Sequence, residues 1–321
     1  MSEAVRVGAI DCGTNSIRLL VADIDPTTGS LTDVVRRMEV VRLGYGVDRT
    51  GVIAPEAMAR TLAMAGEYAA QCRALGAGRV RFVATSASRD ARNAHEFVDG
   101  VRAAFEEEYG TAVLPEVVSG DEEAALSFRG ATGGLLARGV RGPYLVVDLG
   151  GGSTEFVRGT DDVDAARSVD IGCVRMTERH LRSDPPTEDE IAAATADIDA
   201  AIAAAEAEVP FRGIRTLVGL AGSVTTITAH ALRLPHYEAT AIHLSSLPVA
   251  SVLEAAADLL HLARADRAAL PFMHPGRVDV IGAGALVWSR IVGRVALEAG
   301  ISEVITSEHD ILDGIALSIT D

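Results

Sequence analysis

Three short turns in the sequence share a composition suited to holding a phosphate group. They are Asp11-Cys12-Gly13-Thr14-Asn15-Ser16, Asp148-Leu149-Gly150-Gly151-Gly152-Ser153-Thr154 and Gly219-Leu220-Ala221-Gly222-Ser223-Val224-Thr225-Thr226. Glycines let a backbone approach a ligand closely and turn its N–H groups toward one point, and the hydroxyls add donors. None of the three reads G-x-x-x-x-G-K-[ST], so the P-loop is excluded. A single turn of this kind is as readily an ordinary tight turn. Three of them, two opening with Asp at the end of an apolar run, favour a phosphate cradle.

Acids flank the second turn. Asp148 closes one apolar strand and Glu155 opens the next. Two carboxylates beside a phosphate site suit Mg²⁺ or Mn²⁺, because Mg²⁺ commonly takes one or two carboxylates and fills its shell with phosphate and water. The bland alternative puts Glu155 on the polar face of its strand. Glu122 and Glu123 begin a predicted helix, where acids favour the helix dipole. That accounts for one of them and leaves the other to be explained. Arg18, Arg89, Arg92, Arg175 and Arg277 are the candidate cations. Arg89 lies where a strand meets a helix start, and a guanidinium there can fork onto phosphate oxygens, or simply pair with a surface acid. His309-Asp310 resembles a metal-phosphohydrolase dipeptide but has no second His to complete it, and reads as helix surface. Ser223 lacks the G-x-S-x-G spacing and a His partner of a nucleophile elbow.

The elements that must position these residues alternate between strand and helix. Strands are predicted at 5–10, 17–24 and 31–43, with a turn at 25–29, then at 79–85 and 112–118. Helices are predicted at 55–75 and 94–109, and another opens at Ser119-Gly120-Asp121-Glu122, with Ser119 or Asp121 as its cap. The glycine-rich stretch 130–142 marks a boundary, after which the opening pattern recurs: apolar strand, Asp, glycine turn, hydroxyl, apolar strand. This repeat at Asp11 and Asp148 predicts two related α/β lobes. The second continues with an exposed helix at 187–207, a strand at 216–220, helices at 248–264 and 284–299 with a strand at 278–281 between them, and a closing helix at 308–319.

Composition narrows the classes. The chain has 321 residues, 48% hydrophobic and 23% charged, with only 4% aromatic. That is a globular balance with a core built on aliphatics, at a length expected to form about two domains. A net charge of -16 argues against a broad nucleic-acid surface, which needs a basic face. A local group of cations still suffices for a polyanion, since salt screens beyond about 10 Å. All 29 basic residues are Arg, so no Schiff-base lysine is available. Three scattered cysteines make neither a disulfide framework nor a zinc site. With no predicted signal peptide and no membrane-spanning run, the expected location is the cytoplasm.

With these motifs in this order, the sequence resembles the exopolyphosphatase / guanosine pentaphosphate phosphohydrolase (Ppx/GppA) family. The resemblance covers nearly the whole chain. It rests on 9–18, 84–93, 146–155, 219–223, the Ser119-Gly-Asp-Glu-Glu-Ala124 motif and Asp170-Ile-Gly-Cys-Val-Arg-Met-Thr-Glu178. It implies the actin-like, sugar-kinase-like superfold: two ribonuclease-H-like lobes with a cleft between them. The expected lobes are 1–130 and 131–305, with 306–321 returning to the first.

The resemblance also implies roles. Glu123 would be the general base that activates water, with Glu122 as the alternative. Asp148 and Glu155 would hold Mg²⁺. Asp11, Gly13, Thr14, Asn15, Ser16 and Arg18, together with Gly150, Gly151, Gly152 and Ser153, would grip the terminal phosphoryl group, assisted by Arg89 and Asn93. Gly222, Ser223 and Arg277 would contact the next phosphates. An ordinary Glu, with a pKa of about 4.3, is a weak base at neutral pH, and burial would strengthen it. The implied reaction removes orthophosphate stepwise from the end of inorganic polyphosphate. Long family members carry a further C-terminal helical region, so a chain ending at Asp321 is expected to prefer short polyphosphate. The alternatives are a pppGpp 5′-phosphohydrolase, a sugar-kinase-like phosphotransferase, and a non-catalytic polyphosphate- or nucleotide-binding regulator. A homodimer is implied by the resemblance alone.

Overall fold

Both turns that open with Asp join two antiparallel strands. Around the first lie β1 (Val5–Cys12), β2 (Ser16–Ile24), β3 (Leu31–Val40), β4 (Arg79–Ala84) and β5 (Glu116–Val117), in the order β3-β2-β1-β4-β5. Around the second lie β6 (Tyr144–Leu149), β7 (Thr154–Gly159), β8 (Val163–Val169), β9 (Thr216–Leu220), β10 (Ser245–Pro248) and β11 (Glu303–Thr306), in the order β10-β11-β9-β6-β7-β8. In the first sheet β1–β2 and β2–β3 are antiparallel, while β1–β4 and β4–β5 are parallel. The sequence β8-β7-β6-β9-β11 repeats the ordering and the directions, and β10 adds an antiparallel edge. This is the ribonuclease-H-like arrangement, present twice. The structure is a computed structural model that describes residues 4–28 and 30–320. Gly29 of the predicted turn lies outside the described residues, as do 1–3 and 321 at the ends of the expected lobes.

The chain divides into two units, 1–130 with 311–321, and 131–310. In the first, helices Pro55–Ala74 and Ala94–Glu108 cover one face of the sheet around Tyr68, Phe82, Phe97 and Phe105. The helix Ile311–Ser318 covers the other, packing Ile311, Leu312 and Ile315 on Val7, Ala9 and Leu20. Gly314 permits this approach, since a Cβ there would overlap the backbone of Leu126. An ion pair from Arg36 to the buried Asp313, at 2.6 Å, ties that helix to β3. In the second unit the all-buried β6 sits mid-sheet, and helices Glu188–Glu208 and Ile281–Ala299 contribute Ile198, Ile202, Trp288 and Ile291 to its core. Central strands covered on both faces read as continuous apolar runs, as 144–147 does.

Several expectations need correction. Residues 278–280 form a turn and Ile281 starts a helix, so the predicted strand at 278–281 does not exist. The division between the units falls at 130/131, inside the helix Gly120–Ala137 rather than in a loop. The helix predicted as exposed at 187–207 buries one stripe through Ala194, Ile198, Ile202 and Ala205, and its start is a capping box between Thr187 and Glu190. Asp310 is buried rather than on a helix surface, and His309 lies against His243 with tilted rings whose centroids are 4.3 Å apart. Among the described residues no helix is long and apolar enough to cross a membrane.

Candidate active site

The hairpin between β1 and β2 places Asp11 directly opposite Arg18. Antiparallel partners present their side chains on one face. The result is an ion pair in which the Arg18 Nε and Nη2 donate to Asp11 Oδ2 at 2.9 and 2.6 Å. The turn itself closes with Gly13 N donating to Ser16 O at 2.9 Å. A loop after β3 then consumes the turn's carbonyls: Val41 N and Arg42 N donate to Asn15 O, and Gly44 N donates to Thr14 O. Thr14 Oγ1 meets Ser86 Oγ at 2.8 Å in a buried contact. Among the described residues the amide N–H groups of Thr14 and Asn15 have no protein acceptor. Arg42 takes this position with φ 52°, a left-handed backbone that costs a non-glycine residue energy. Nothing in the sequence around Arg42 signalled it.

The second turn is built the same way and clamped harder. Gly150 N donates to Ser153 O at 3.1 Å. Every carbonyl from 150 to 152 is then taken by one segment. Cys173 N donates to Gly150 O, Val174 N and Arg175 N to Gly151 O, and Gly172 N to Gly152 O. Arg175 Nε adds a bond to Gly152 O at 2.7 Å. A Cβ on Gly172 would overlap the Gly151 backbone, which is why a glycine stands there. The N–H groups of Gly151, Gly152 and Ser153 have no acceptor among the described residues. Carbonyls tied back and amides left over make a concave donor surface, the arrangement that binds anions. The motif at 170–178 thus supplies the clamp on the second turn, a role its composition does not signal.

Beside that turn stand the two acids. Asp148 and Glu155 are register partners on β6 and β7, so the two carboxylates share one side of the sheet. Glu155 is 1% exposed and Asp148 6%, which removes the reading of Glu155 as a solvated strand face. Ser168 Oγ donates to Glu155 Oε1 at 2.7 Å. The all-oxygen donors suit a hard cation. Among the described residues no group of three or more His, Cys, Asp or Glu is placed to hold a metal.

The third turn follows β9, whose Leu220 is the register partner of Asp148. Ala221 adopts φ 69° and starts the helix Ala221–Ala231. The Arg277 guanidinium lies over Gly222, where a Cβ would come within 2.5 Å of it. Arg277 Nη1 donates to Thr226 Oγ1 at 3.2 Å, and its Cζ is 5.9 Å from the Tyr237 ring centroid. The Tyr237 hydroxyl donates to Glu308 at 2.6 Å and lies 2.8 Å from Thr225 Oγ1. Burial pushes the Cys173 thiol up, with a hydrogen bond to Ser223 and the charge of Arg277 pulling the other way.

The remaining predicted residues are in the first unit. Ser119 Oγ accepts from Glu122 N at 3.2 Å, so Ser119 rather than Asp121 caps the helix. Its two glutamates then diverge. Glu122 is exposed and paired with Arg81 at 2.8 Å. Glu123 is 8% exposed and faces Arg89, whose Nη1 reaches Glu123 Oε2 at 3.3 Å and Val118 O at 2.9 Å. Asn93 spends both ends of its amide on Ile53, accepting from its N–H at 2.9 Å and donating to its carbonyl at 3.1 Å.

Compared with known proteins, residues 20–319 match the Ppx/GppA phosphatase family. The chain belongs to that family. This Ppx/GppA chain is 51% identical to Exopolyphosphatase 2 of Mycobacterium tuberculosis over 320 residues, 98% of each protein. It is 35% identical over 190 residues to the guanosine-5′-triphosphate,3′-diphosphate pyrophosphatase of Vibrio cholerae, covering 57% of this chain and 35% of that protein. Its fold is similar to the crystal structure of an exopolyphosphatase-like protein, with a TM-score of 0.92 and 43% identity over 99% of this chain and 98% of the other. As a Ppx/GppA protein it has the two-fold ribonuclease-H-like architecture described above.

Proposed function

We infer that this protein is an exopolyphosphatase that releases orthophosphate from the ends of inorganic polyphosphate. The observation that carries the reading is the pair of glycine turns whose carbonyls are bonded away and whose amides are left over. Such donors grip a phosphoryl group that carries charge on several oxygens at once. The likeness to the Mycobacterium tuberculosis exopolyphosphatase supports the substrate class.

The reading gives each residue a task. Glu123 accepts the proton of the attacking water, and Arg89 holds its carboxylate in place. Glu122, engaged by Arg81 at the surface, is the poorer candidate. Thr14, Asn15, Gly151, Gly152 and Ser153 hold the terminal phosphoryl group, while Ser223 and Arg277 hold the phosphates behind it. Asp148 and Glu155 hold Mg²⁺ or Mn²⁺, which when bound neutralises charge on the phosphoryl oxygens. In the same reading the protein works in the cytoplasm, which three buried free cysteines support, and as a homodimer, which rests on family resemblance.

The test incubates purified protein and Mg²⁺ with short polyphosphate, long polyphosphate or pppGpp and measures orthophosphate. Release from polyphosphate is expected. Glu123→Gln should lower turnover by about 10²–10⁴-fold with polyphosphate binding retained. Full activity in that variant removes Glu123 as the base. Release mainly from pppGpp would instead make the protein a guanosine pentaphosphate phosphohydrolase, the activity suggested by its Vibrio cholerae relative's name.

A further inference from the structure

The second unit contains a cavity of about 170 Å³ that the reading above does not use. It lies beyond the C-terminal end of the helix Cys173–Arg179, whose first residue bonds Gly150. That helix has seven residues, so its two ends stand about 10 Å apart at 1.5 Å per residue. The lining carries three guanidinium groups, Arg182, Arg264 and Arg267, against two carboxylates, Asp184 and Asp279. Local charge is therefore positive in a chain whose net charge is -16.

The bonding inside the cavity shows what is missing. Asp184 accepts from Arg264 N at 2.8 and 3.0 Å and from Arg267 Nη2 at 2.9 Å. Arg264 Nε donates to Asp279 at 2.6 Å. Both acids are thus engaged, yet Arg267, only 6% exposed, keeps a buried Nε with no acceptor. A buried donor on a permanent cation is costly to leave unpaired. Arg182 is exposed, and its guanidinium makes no bond among the described residues. What the cavity lacks is an acceptor carrying negative charge.

We propose that this cavity binds a single small oxyanion of the phosphate class, at a site separate from the glycine turns. Guanidinium groups converging on one space match the several acceptor oxygens of such an anion. The volume falls below the roughly 300–1,000 Å³ of ordinary ligand pockets, which leaves no room for a nucleoside. Orthophosphate fits, and binding there does not depend on the reaction proposed above. The cavity also adjoins the machinery of that reaction. A Cβ on Gly282 would lie 2.9 Å from Arg267 Nη1, and two residues on, Gly284 packs against Ser223 and Cys173.

The test is a titration of the full ¹⁵N-labelled chain with inorganic phosphate, followed through its amide resonances, with sulfate as a second oxyanion. Saturable shifts are expected at Ser183, Arg264 and Gly282. Arg182→Ala should weaken that transition by about fivefold or more, since it removes a charge-assisted contact. Arg267→Lys keeps the charge but deletes Nε. It should abolish the transition while leaving the rest of the spectrum in place. Ser153→Ala should leave it unchanged, which separates it from anion binding at the glycine turns. The proposal is overturned if those three amides stay still into tens of millimolar phosphate. It is equally overturned if they respond alike in wild type, Arg182→Ala and Arg267→Lys.

Discussion

The two Asp hairpins share one register and face their Asp with residues of opposite charge. In both, an Asp sits at the end of the first strand, and the residue seven positions on is its register partner across the turn. In the first hairpin that partner is Arg18, and the pair neutralises itself at 2.6 Å. In the second it is Glu155, and two buried carboxylates stand side by side. Like charges brought that close repel each other, and a cation between them would relieve the repulsion. One backbone design thus places an ion pair in one unit and two neighbouring carboxylates in the other. The turns between the strands keep the same anion-facing design in both.

The largest effect should come from the acid pair. Glu155→Gln removes one charge without changing shape, and turnover should fall by at least about 100-fold, beyond the 10–100-fold typical of residues that merely support metal ligands. The metal concentration for half-maximal activity should rise as well. Asp11→Asn is the control that sharpens the contrast, because it should change stability and leave the metal dependence where it was. Equal metal responses in the two variants would erase the distinction between the hairpins.

Next in size is the loss of Arg18. Arg18→Ala leaves the nearly buried Asp11 without its guanidinium and should cost about 2–3 kcal/mol, less than a fully buried pair because Arg18 itself is partly exposed. Urea unfolding measures this. Adding Asp11→Asn should recover part of the loss, since it removes the stranded charge. An unchanged urea midpoint in the single variant would mean that the pair does not hold the hairpin.

This contrast was only half visible in the sequence. Glycine turns after apolar runs, and the recurrence of Asp at both, were legible because strand periodicity and turn chemistry are local. Which residue would face each Asp follows from hairpin register, and that needs the turn length to be known. The pairing of Arg18 with Asp11 is therefore not legible in the sequence. The bonds of Asn93 to Ile53 are hidden for a similar reason, because Ile53 is forty positions away. The strands β8 and β10 lack an apolar alternation of their own, and Ser245–Pro248 is extended because β11 pairs with it. Val278, Val280 and Ile281 are β-branched and read as a strand. The chain instead enters a helix at Ile281, in which Gly282 and Gly284 lie close against Arg267 and Ser223.

The turns differ in tightness, and small side chains should reveal it. A Cβ on Gly13 would meet Ser16 O at 3.6 Å, an ordinary contact, so Gly13→Ala should cost under about 1 kcal/mol. Gly172→Ala drives a methyl into the Gly151 backbone and should cost about 1–3 kcal/mol, as overpacking does. Thermal or urea unfolding of both variants tests the order. A larger loss at Gly13 would show the first turn to be the tighter one.

The smallest effect concerns the thiols attached to the two turns. Burial pushes Cys12 well above the ordinary thiol value of 9.0, and the charge of Asp11 adds to it. Cys173 is also raised by burial, but its bond from Ser223 and the charge of Arg277 oppose the shift. A folded value above the unfolded one means that folding favours the neutral thiol. The stabilisation is complete below the unfolded value and is lost as pH rises toward the folded one. Stability should therefore be flat through neutral pH and decline above about pH 9. Cys12→Ala should flatten this decline more than Cys173→Ala, because only Cys173 has groups that favour its thiolate. Urea midpoints between pH 7 and pH 10 read the difference directly, and a steeper contribution from Cys173 would reverse the assignment.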